Sequence, residues 1–219
     1  MKHSILLSAF LFFTSSVWSQ TKSKFNTMDK NTSAFETKWS GSISYGNTIF
    51  IGDLNKASSE KYLPNVALSL KFNKEFTPEN SLLFSITSGK NSGEITLPNT
   101  NLISFKSQYT QGHLGYRKAI TPTGIKIPQI HLNAGIGYYY ADGTSLTTVN
   151  ELTSEVSEEV WSLVFPFGME ISYYVQEEWG VVLGISNTIF TRDTVDFYDM
   201  NNNVDHQLII NLGICYSFN

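Results

Sequence analysis

The stretch WSLVFPFGMEISYY, residues 161–174, gives the clearest indication of the fold of this chain. Its odd-numbered positions carry seven bulky residues in succession, whereas the even-numbered positions between them carry smaller or polar ones. A period of two is the period of a β-strand whose two faces meet different surroundings. The large apolar face is more continuous than water would tolerate, so the stretch predicts a strand with one face in hydrocarbon.

The same alternation recurs along the rest of the chain. It predicts eight strands, at about 39–51, 66–76, 81–89, 102–120, 128–142, 160–175, 180–192 and 205–218. The segment at 102–120 alternates poorly, and this irregularity predicts a β-bulge within it. Aromatic residues gather near the strand ends, among them Tyr139, Trp161 and Phe190 toward one end and Trp39 and Trp179 toward the other. That placement predicts two interfacial belts.

The connections between the predicted strands alternate in length. Those at 77–80, 121–126 and 176–179 are tight turns, whereas those at 52–65, 90–101, 143–159 and 193–204 are long and polar. Short turns at one end and long loops at the other are the plan of an outer-membrane β-barrel. We therefore predict an all-β fold, an eight-stranded antiparallel transmembrane up-and-down β-barrel over residues 39–219. A soluble lipocalin-like barrel is the alternative, with its large apolar residues pointing inward.

Composition excludes other classes of protein. The 219 residues are 41% hydrophobic, 14% aromatic and 16% charged, with a single cysteine and a pI of about 5.5. One cysteine cannot form an internal disulfide, and no repeated apolar runs of helix-spanning length occur. The aromatic content argues against disorder, and the acidic pI argues against a nucleic-acid partner.

The N-terminus has the features of a secretory signal peptide. Lys2 supplies a positive charge, residues 5–13 (ILLSAFLFF) are apolar, and small residues surround Ser19. We predict cleavage after Ser19, a short periplasmic extension over residues 20–38, and localisation of the barrel in the outer membrane.

Charged residues on the inward-facing side form the first candidate site. Lys71, Glu75, His131 and Glu170 fall on the small or polar face of their strands. Since an enclosed charge needs a partner, we predict a lumen charge network in which Glu170 pairs first with Lys71. Because an eight-stranded barrel is only wide enough for side chains to fill, this network is expected to plug the lumen.

Two predicted loops carry most of the acidity. Residues 142–159 have a formal charge of −5 and residues 192–205 a charge of −3. Asp193, Asp196 and Asp199 make a candidate rim cation site, because Ca²⁺ and Mg²⁺ prefer oxygen ligands. The favoured alternative is a solvated loop. No cofactor is predicted, and Cys215 is interpreted as a small filler of the lumen.

Several stretches resemble a known group of proteins. They are FIGDLN (residues 50–55), NLISFKS (101–107), PFGMEISYY (166–174), FTRDTVDFYD (190–199) and LGICYSF (212–218). In these stretches the chain resembles small OmpA-like outer-membrane barrels of Bacteroidota, including the family of the type IX secretion protein PorG. The resemblance implies a C-terminal barrel-assembly signal at Leu212, Ile214, Tyr216 and Phe218, although Asn219 follows the final aromatic residue here.

These features predict a non-enzymatic outer-membrane protein with a structural or interaction role. Its expected partners are outer-membrane lipid and lipopolysaccharide, the barrel-assembly machinery, and secretion or envelope proteins. The alternative is a rim enzyme acting on lipid A or peptides. Its candidate residues are the neighbours Asp205 and His206, since omptin-type proteases use acidic and Asp–His pairs at such a rim.

Overall fold

The structure, a computed structural model, describes residues 38–51, 65–96, 102–121, 126–149, 152–192, 195 and 205–218. These residues form eight strands: β1 (Trp39–Ile51), β2 (Asn65–Thr77), β3 (Asn80–Thr96), β4 (Leu102–Ala119), β5 (Gln129–Val149), β6 (Leu152–Tyr174), β7 (Trp179–Phe190) and β8 (His206–Phe218). The predicted signal peptide, residues 1–19, and residues 20–37 of the predicted extension lie outside the described residues. No helix within the described ranges is long and apolar enough to cross a membrane.

The eight strands close into one antiparallel barrel. Each strand pairs with the next in sequence, and β1 pairs with β8 from Trp39↔Phe218 to Ile51↔His206. Closure satisfies the backbone groups of the ring without leaving an edge, which a structure inside hydrocarbon requires. The predicted fold class, an eight-stranded antiparallel transmembrane β-barrel, is confirmed.

The outer surface of the ring is apolar. Large hydrophobic side chains project from every strand, and Leu68, Leu114, Leu183 and Leu212 are each about half exposed or more. The lipocalin-like alternative requires the reverse arrangement. A Cβ built on the inward-facing Gly213 would stand 2.1 Å from the Ile43 carbonyl oxygen, so a larger side chain does not fit at that position.

The strand bounds differ from the prediction at the long-loop end. Residues 143–159 were predicted to be a loop, and this was wrong: β5 continues to Val149 and β6 begins at Leu152, in register from Asp142↔Glu159 to Val149↔Leu152. Polarity alone does not end a strand here, since Thr and Val favour the extended backbone. Strand β3 likewise runs on to Thr96.

The predicted bulge in 102–120 was also wrong. Strand β4 pairs without a register shift with β3 from Lys118 to Leu102 and with β5 over its whole length. Its alternation is poor because inward positions such as Phe105 and Tyr109 are themselves large and buried. The register shifts instead in β2, between Glu75 and Thr77, beside the tight turn to β3.

Candidate functional site

A layer of charged side chains crosses the lumen on the short-turn side. Glu170 of β6 is 4% exposed, and it accepts hydrogen bonds from Lys71 Nζ at 2.7 Å and from Arg117 Nη2 at 3.0 Å. The same Arg117 nitrogen lies 3.0 Å from His131 Nδ1. We call Lys71, Arg117, His131 and Glu170 the charge layer.

The four side chains come from strands on opposite walls. Lys71 is on β2 and Glu170 on β6, which are half a turn apart in the closed ring. His131 faces Glu170 directly in the β5–β6 ladder. The Lys71–Glu170 pair therefore joins opposite walls of the barrel, while Arg117, which also lies against His131, donates to the same carboxylate.

Glu75 belongs to the same inner face but not to these contacts. It is half-buried and lies four residues after Lys71 on β2, toward the turn to β3, and none of the ion pairs between described residues involves it. Of the four residues predicted for a lumen charge network, the structure thus brings Lys71, His131 and Glu170 together through Arg117 and leaves Glu75 beside them.

The sequence did not predict Arg117 as a member of the charge layer, because large inward side chains obscure the alternation of its segment. A signal for it exists in the sequence: Arg117 and Lys118 are adjacent near the end of a strand. Successive side chains point to opposite faces, so one of these two cations had to enter the lumen. Arg117 does so and is buried, whereas Lys118 is exposed.

Aromatic side chains fill the lumen on the long-loop side. We call Phe50, Phe105, Tyr109, Tyr139 and Phe190 the aromatic plug; each is at most 2% exposed. The ring centroids of Tyr139 and Phe190 are 4.7 Å apart, those of Tyr109 and Tyr139 5.4 Å, and those of Phe50 and Phe105 5.6 Å. These contacts join β1, β4, β5 and β7 across the interior. The prediction that Tyr139 and Phe190 belong to an interfacial belt was therefore wrong.

A polar hub orients the aromatic plug. Asn91 of β3 donates from Nδ2 to the Tyr139 hydroxyl at 2.9 Å. Its Oδ1 accepts from Gln207 Nε2 at 2.9 Å and from Thr48 Oγ1 at 3.3 Å. A fully buried amide is tolerated only when it is hydrogen-bonded, and these bonds fix the ring of Tyr139 in the centre of the lumen.

The rim residues proposed for an enzyme do not face each other. Asp205 is 1% exposed, and its Oδ2 accepts a hydrogen bond from the backbone N–H of Val195 at 3.0 Å. His206 is the next residue in an extended strand, so its side chain is on the opposite face. The geometry gives Asp205 an anchoring contact with the β7–β8 connection and separates it from His206.

The candidate cation ligands Asp193, Asp196 and Asp199 lie outside the described residues, and this site stays a prediction. Within the described part of the chain, no group of three or more His, Cys, Asp or Glu side chains is arranged to hold a metal ion. Cys215 is buried on the inner face of β8.

The residues of the predicted barrel-assembly signal lie along one face of β8. Leu212, Ile214 and Phe218 are exposed on the outer surface. Tyr216 donates from its hydroxyl to Glu178 at 3.0 Å, and its ring meets that of Trp179 edge-on at 4.7 Å. These contacts place aromatic side chains at the short-turn end of the apolar surface.

Comparison with known proteins gives similarities of fold only. No protein-family model and no curated protein matches the chain. The crystal structure of Ail from Yersinia pestis, in complex with the heparin analogue sucrose octasulfate, is similar with a TM-score of 0.49 and 16% identity, covering 84% of this chain and 100% of that one. The N-terminal β-barrel domain of Pseudomonas aeruginosa OprF gives a TM-score of 0.43 and 12% identity, with coverage of 84% and 100%.

The outer-membrane protease OmpT from Escherichia coli is also similar, with a TM-score of 0.46 and 8% identity, covering 85% of this chain and 99% of that one. With identities below 25% and TM-scores below 0.5, none of these similarities bears on what this chain does.

Proposed function

We propose that this chain is a non-enzymatic outer-membrane β-barrel protein with a structural or interaction role, and that its lumen is closed. The observation that carries the proposal is the filling of the lumen at two levels. The charge layer crosses the barrel on the short-turn side, and the aromatic plug closes it on the long-loop side. A barrel filled in this way is a scaffold for its exposed end and not a pore.

The placement of this scaffold follows from the sequence. A signal peptide cleaved after Ser19 would deliver the chain to the periplasm, and Leu212, Ile214, Tyr216 and Phe218 would present it to the barrel-assembly machinery. The apolar outer surface supports outer-membrane lipid and lipopolysaccharide as its surroundings. The stretches quoted above support membership of the PorG-like Bacteroidota barrels, and with it a secretion or envelope partner.

Planar-bilayer recording of the refolded full chain tests the closed lumen. We expect no stable conductance from the native protein. As a positive control, the double variant Tyr139→Gly, Phe190→Gly removes the two rings that meet at 4.7 Å and is expected to show more frequent openings. A large, steady conductance from the native protein would overturn the proposal.

The enzymatic alternative has its own test. Asp205 is held by Val195 and is separated from His206, which gives a rim enzyme no dyad at this pair. Extracts of cells that overproduce the protein are expected to show unaltered lipid A and no new peptide cleavage, identical to the Asp205→Ala, His206→Ala variant. A modification that appears with the native protein and disappears with this variant would establish the enzyme.

A further inference from the structure

Two lysines face outward on neighbouring strands at the long-loop end of the barrel. In the β3–β4 ladder Lys90 pairs with Gln108 and Lys106 pairs with Ser92, so the two lysines occupy diagonal positions on one face. Residues in such positions are about 7–8 Å apart, within reach of each other's long side chains. Both lysines are exposed, and none of the ion pairs between described residues involves either of them.

The height of the lysines relative to the membrane follows from the length of β3. Even-numbered residues of β3 face outward, as the exposed Leu82 shows. Strands of about 9–11 residues cross a bilayer, and residues 80–90 make up such a length. Since the long connections of these barrels face the outside, Lys90 lies at the level of the lipid headgroups of the outer leaflet. Lys106, opposite Ser92, is two residues farther out.

A polar pair and then a notch lie below the lysines on the same face. Ser88 and Thr110 are partners in the ladder, and Thr110 Oγ1 donates to Ser88 Oγ at 3.4 Å. The next outward position on β4 is Gly112, where an added Cβ would meet nothing within 4 Å. Gly112 pairs with Ile86 of β3 and with Tyr138 of β5. The missing side chain therefore leaves a notch in the apolar surface between Ile86 and Tyr138.

Two carboxylates limit the positively charged area. Asp142 of β5 pairs with Gln108 and is diagonal to Lys106, and Glu94 is diagonal to Lys106 at the outer end of β3. Both would repel an anion that approached Lys106 from their sides. An anion is therefore expected on the remaining side of Lys106, toward Lys90.

The order of these groups matches the order of groups in a phosphorylated lipid. Lysines at headgroup level attract a phosphate, and lysine ammonium groups donate to its oxygens. Hydroxyl groups can donate to or accept from the ester or amide linkages that lie below the phosphate. A notch in the apolar surface, lower still, offers space for an acyl chain. We call Ser88, Lys90, Lys106, Gln108, Thr110 and Gly112 the headgroup site.

We propose that the headgroup site binds a phosphate-bearing lipid of the outer leaflet. Lys90 and Lys106 hold the phosphate, Ser88 and Thr110 contact the polar linkage, and an acyl chain lies over Gly112. Lipid A, the phosphorylated anchor of lipopolysaccharide, is a lipid of this class. The proposal rests on the outer-membrane lipid surroundings proposed above, and it names the chemical class of the lipid and the residues that recognise it.

The test measures binding of lipid A to the full chain in detergent micelles, by native mass spectrometry. The double variant Lys90→Gln, Lys106→Gln removes both cations and is expected to weaken binding at least about tenfold. Its control, Lys74→Gln, Lys118→Gln, makes the same charge change at exposed positions of the short-turn end and should bind as the native protein does. Dephosphorylated lipid A should bind the native protein weakly.

The notch and the limiting carboxylate are tested separately. Gly112→Leu fills the notch without meeting a neighbour at its Cβ, and it is expected to weaken binding about fivefold through loss of apolar contact with the acyl chain. Asp142→Asn removes a repelling charge and should strengthen binding about fivefold. A large excess of inorganic phosphate should not displace the bound lipid A.

Three outcomes would contradict these expectations in different ways. Equal weakening by the two lysine double variants would show general attraction of lipid A to positive charge and would overturn the headgroup site. Displacement by inorganic phosphate, or full affinity of Gly112→Leu, would overturn a lipid as the ligand. Lipid A recovered with a changed mass would contradict the non-enzymatic function and leave the headgroup site standing, so the two failures are distinguishable. Heat-modifiable gel mobility verifies that each variant is folded.

Discussion

Lys71 Nζ lies 2.7 Å from Glu170 Oε2, and the two residues stand on opposite walls of the barrel. Glu170 is simultaneously 3.0 Å from Arg117, so one buried carboxylate holds two cations. Its loss would leave both cations enclosed without the carboxylate that they share, whereas the loss of one cation would leave the carboxylate paired with the other. The consequences of mutation in the charge layer should therefore be strongly asymmetric.

Replacing Glu170 by Ala is expected to destabilise the folded barrel by about 3–5 kcal/mol, the usual cost of orphaning a buried charge. Urea unfolding in phospholipid vesicles measures the change in the free energy of unfolding. Lys71→Met, which keeps the Arg117–Glu170 pair, is expected to cost less.

The control is the double variant Lys71→Met, Glu170→Ala. Because it removes one member of each sign, a double-mutant cycle with the single variants isolates the energy of the cross-lumen pair. Additive effects of the two changes would mean that Lys71 and Glu170 are not coupled.

A pair of glycines tests the register of the barrel. A Cβ on Gly213 would lie 2.1 Å from the Ile43 carbonyl oxygen, whereas a Cβ on Gly112 would meet nothing within 4 Å. Gly213→Ala is therefore expected to destabilise the barrel by about 1–3 kcal/mol through overpacking. Gly112→Ala should be neutral or slightly stabilising in the same urea titration. Equal tolerance of the two substitutions would contradict the β1–β8 register.

The sequence predicts the ring more successfully than its interior and its rim. Residues such as Leu212 and Phe167 alternate plainly because lipid imposes one simple requirement on the outer face. The lumen imposes no such rule: Phe105 and Arg117 are both inward, one in the aromatic plug and one in the charge layer. Their partners, Phe50 and Glu170, are distant in sequence, so only the closed ring brings them into contact.

The extension of the β5–β6 hairpin was not predicted from the sequence, for a different reason. Long polar segments between strands usually form loops, and residues 143–159 are polar. The Thr residues at 144, 147, 148 and 153 nevertheless favour extended backbone, and pairing of β5 with β4 as far as Thr148 gives the hairpin a template. Tertiary pairing thus overrode the polarity signal.

Replacing either of two adjacent polar residues on β7 by an apolar one is expected to change the stability of the barrel, in opposite directions for the two positions. Asn187 faces outward beside Phe167, Met169 and Leu208, and its Oδ1 accepts no hydrogen bond from a described residue. Asn187→Leu should therefore stabilise the barrel by about 1–2 kcal/mol, since an unpaired amide oxygen leaves apolar surroundings. The measurement is the urea midpoint in vesicles.

Thr188→Val is the matched inward control. Thr188 is buried and accepts from Gln111 Nε2 at 3.3 Å, so this change should lower stability by about 1 kcal/mol. The same sign for both variants would contradict the assignment of these two residues to opposite faces.

A hydrogen bond anchors the β7–β8 connection at the rim of the barrel. Asp205 Oδ2 accepts from Val195 N at 3.0 Å, which ties the β7–β8 connection to the start of β8. Arg192 is exposed in this connection and is the only Lys or Arg after Lys126 in the sequence. After Lys126, trypsin can therefore cut only at Arg192. Cleavage of the folded protein there gives a C-terminal fragment that begins at residue 193.

Asp205→Ala is expected to raise the rate of cleavage at Arg192 about tenfold, because loss of a hydrogen bond to a charged group lowers the free energy of local opening. Mass spectrometry of timed digests measures the fragment. His206→Ala, on the opposite face, should leave the rate unchanged, and Asp205→Asn, which keeps an acceptor oxygen, should fall between them. If His206→Ala accelerated cleavage as much as Asp205→Ala does, the effect would reflect general loosening of the start of β8, and the specific role assigned to the Asp205–Val195 contact would be wrong.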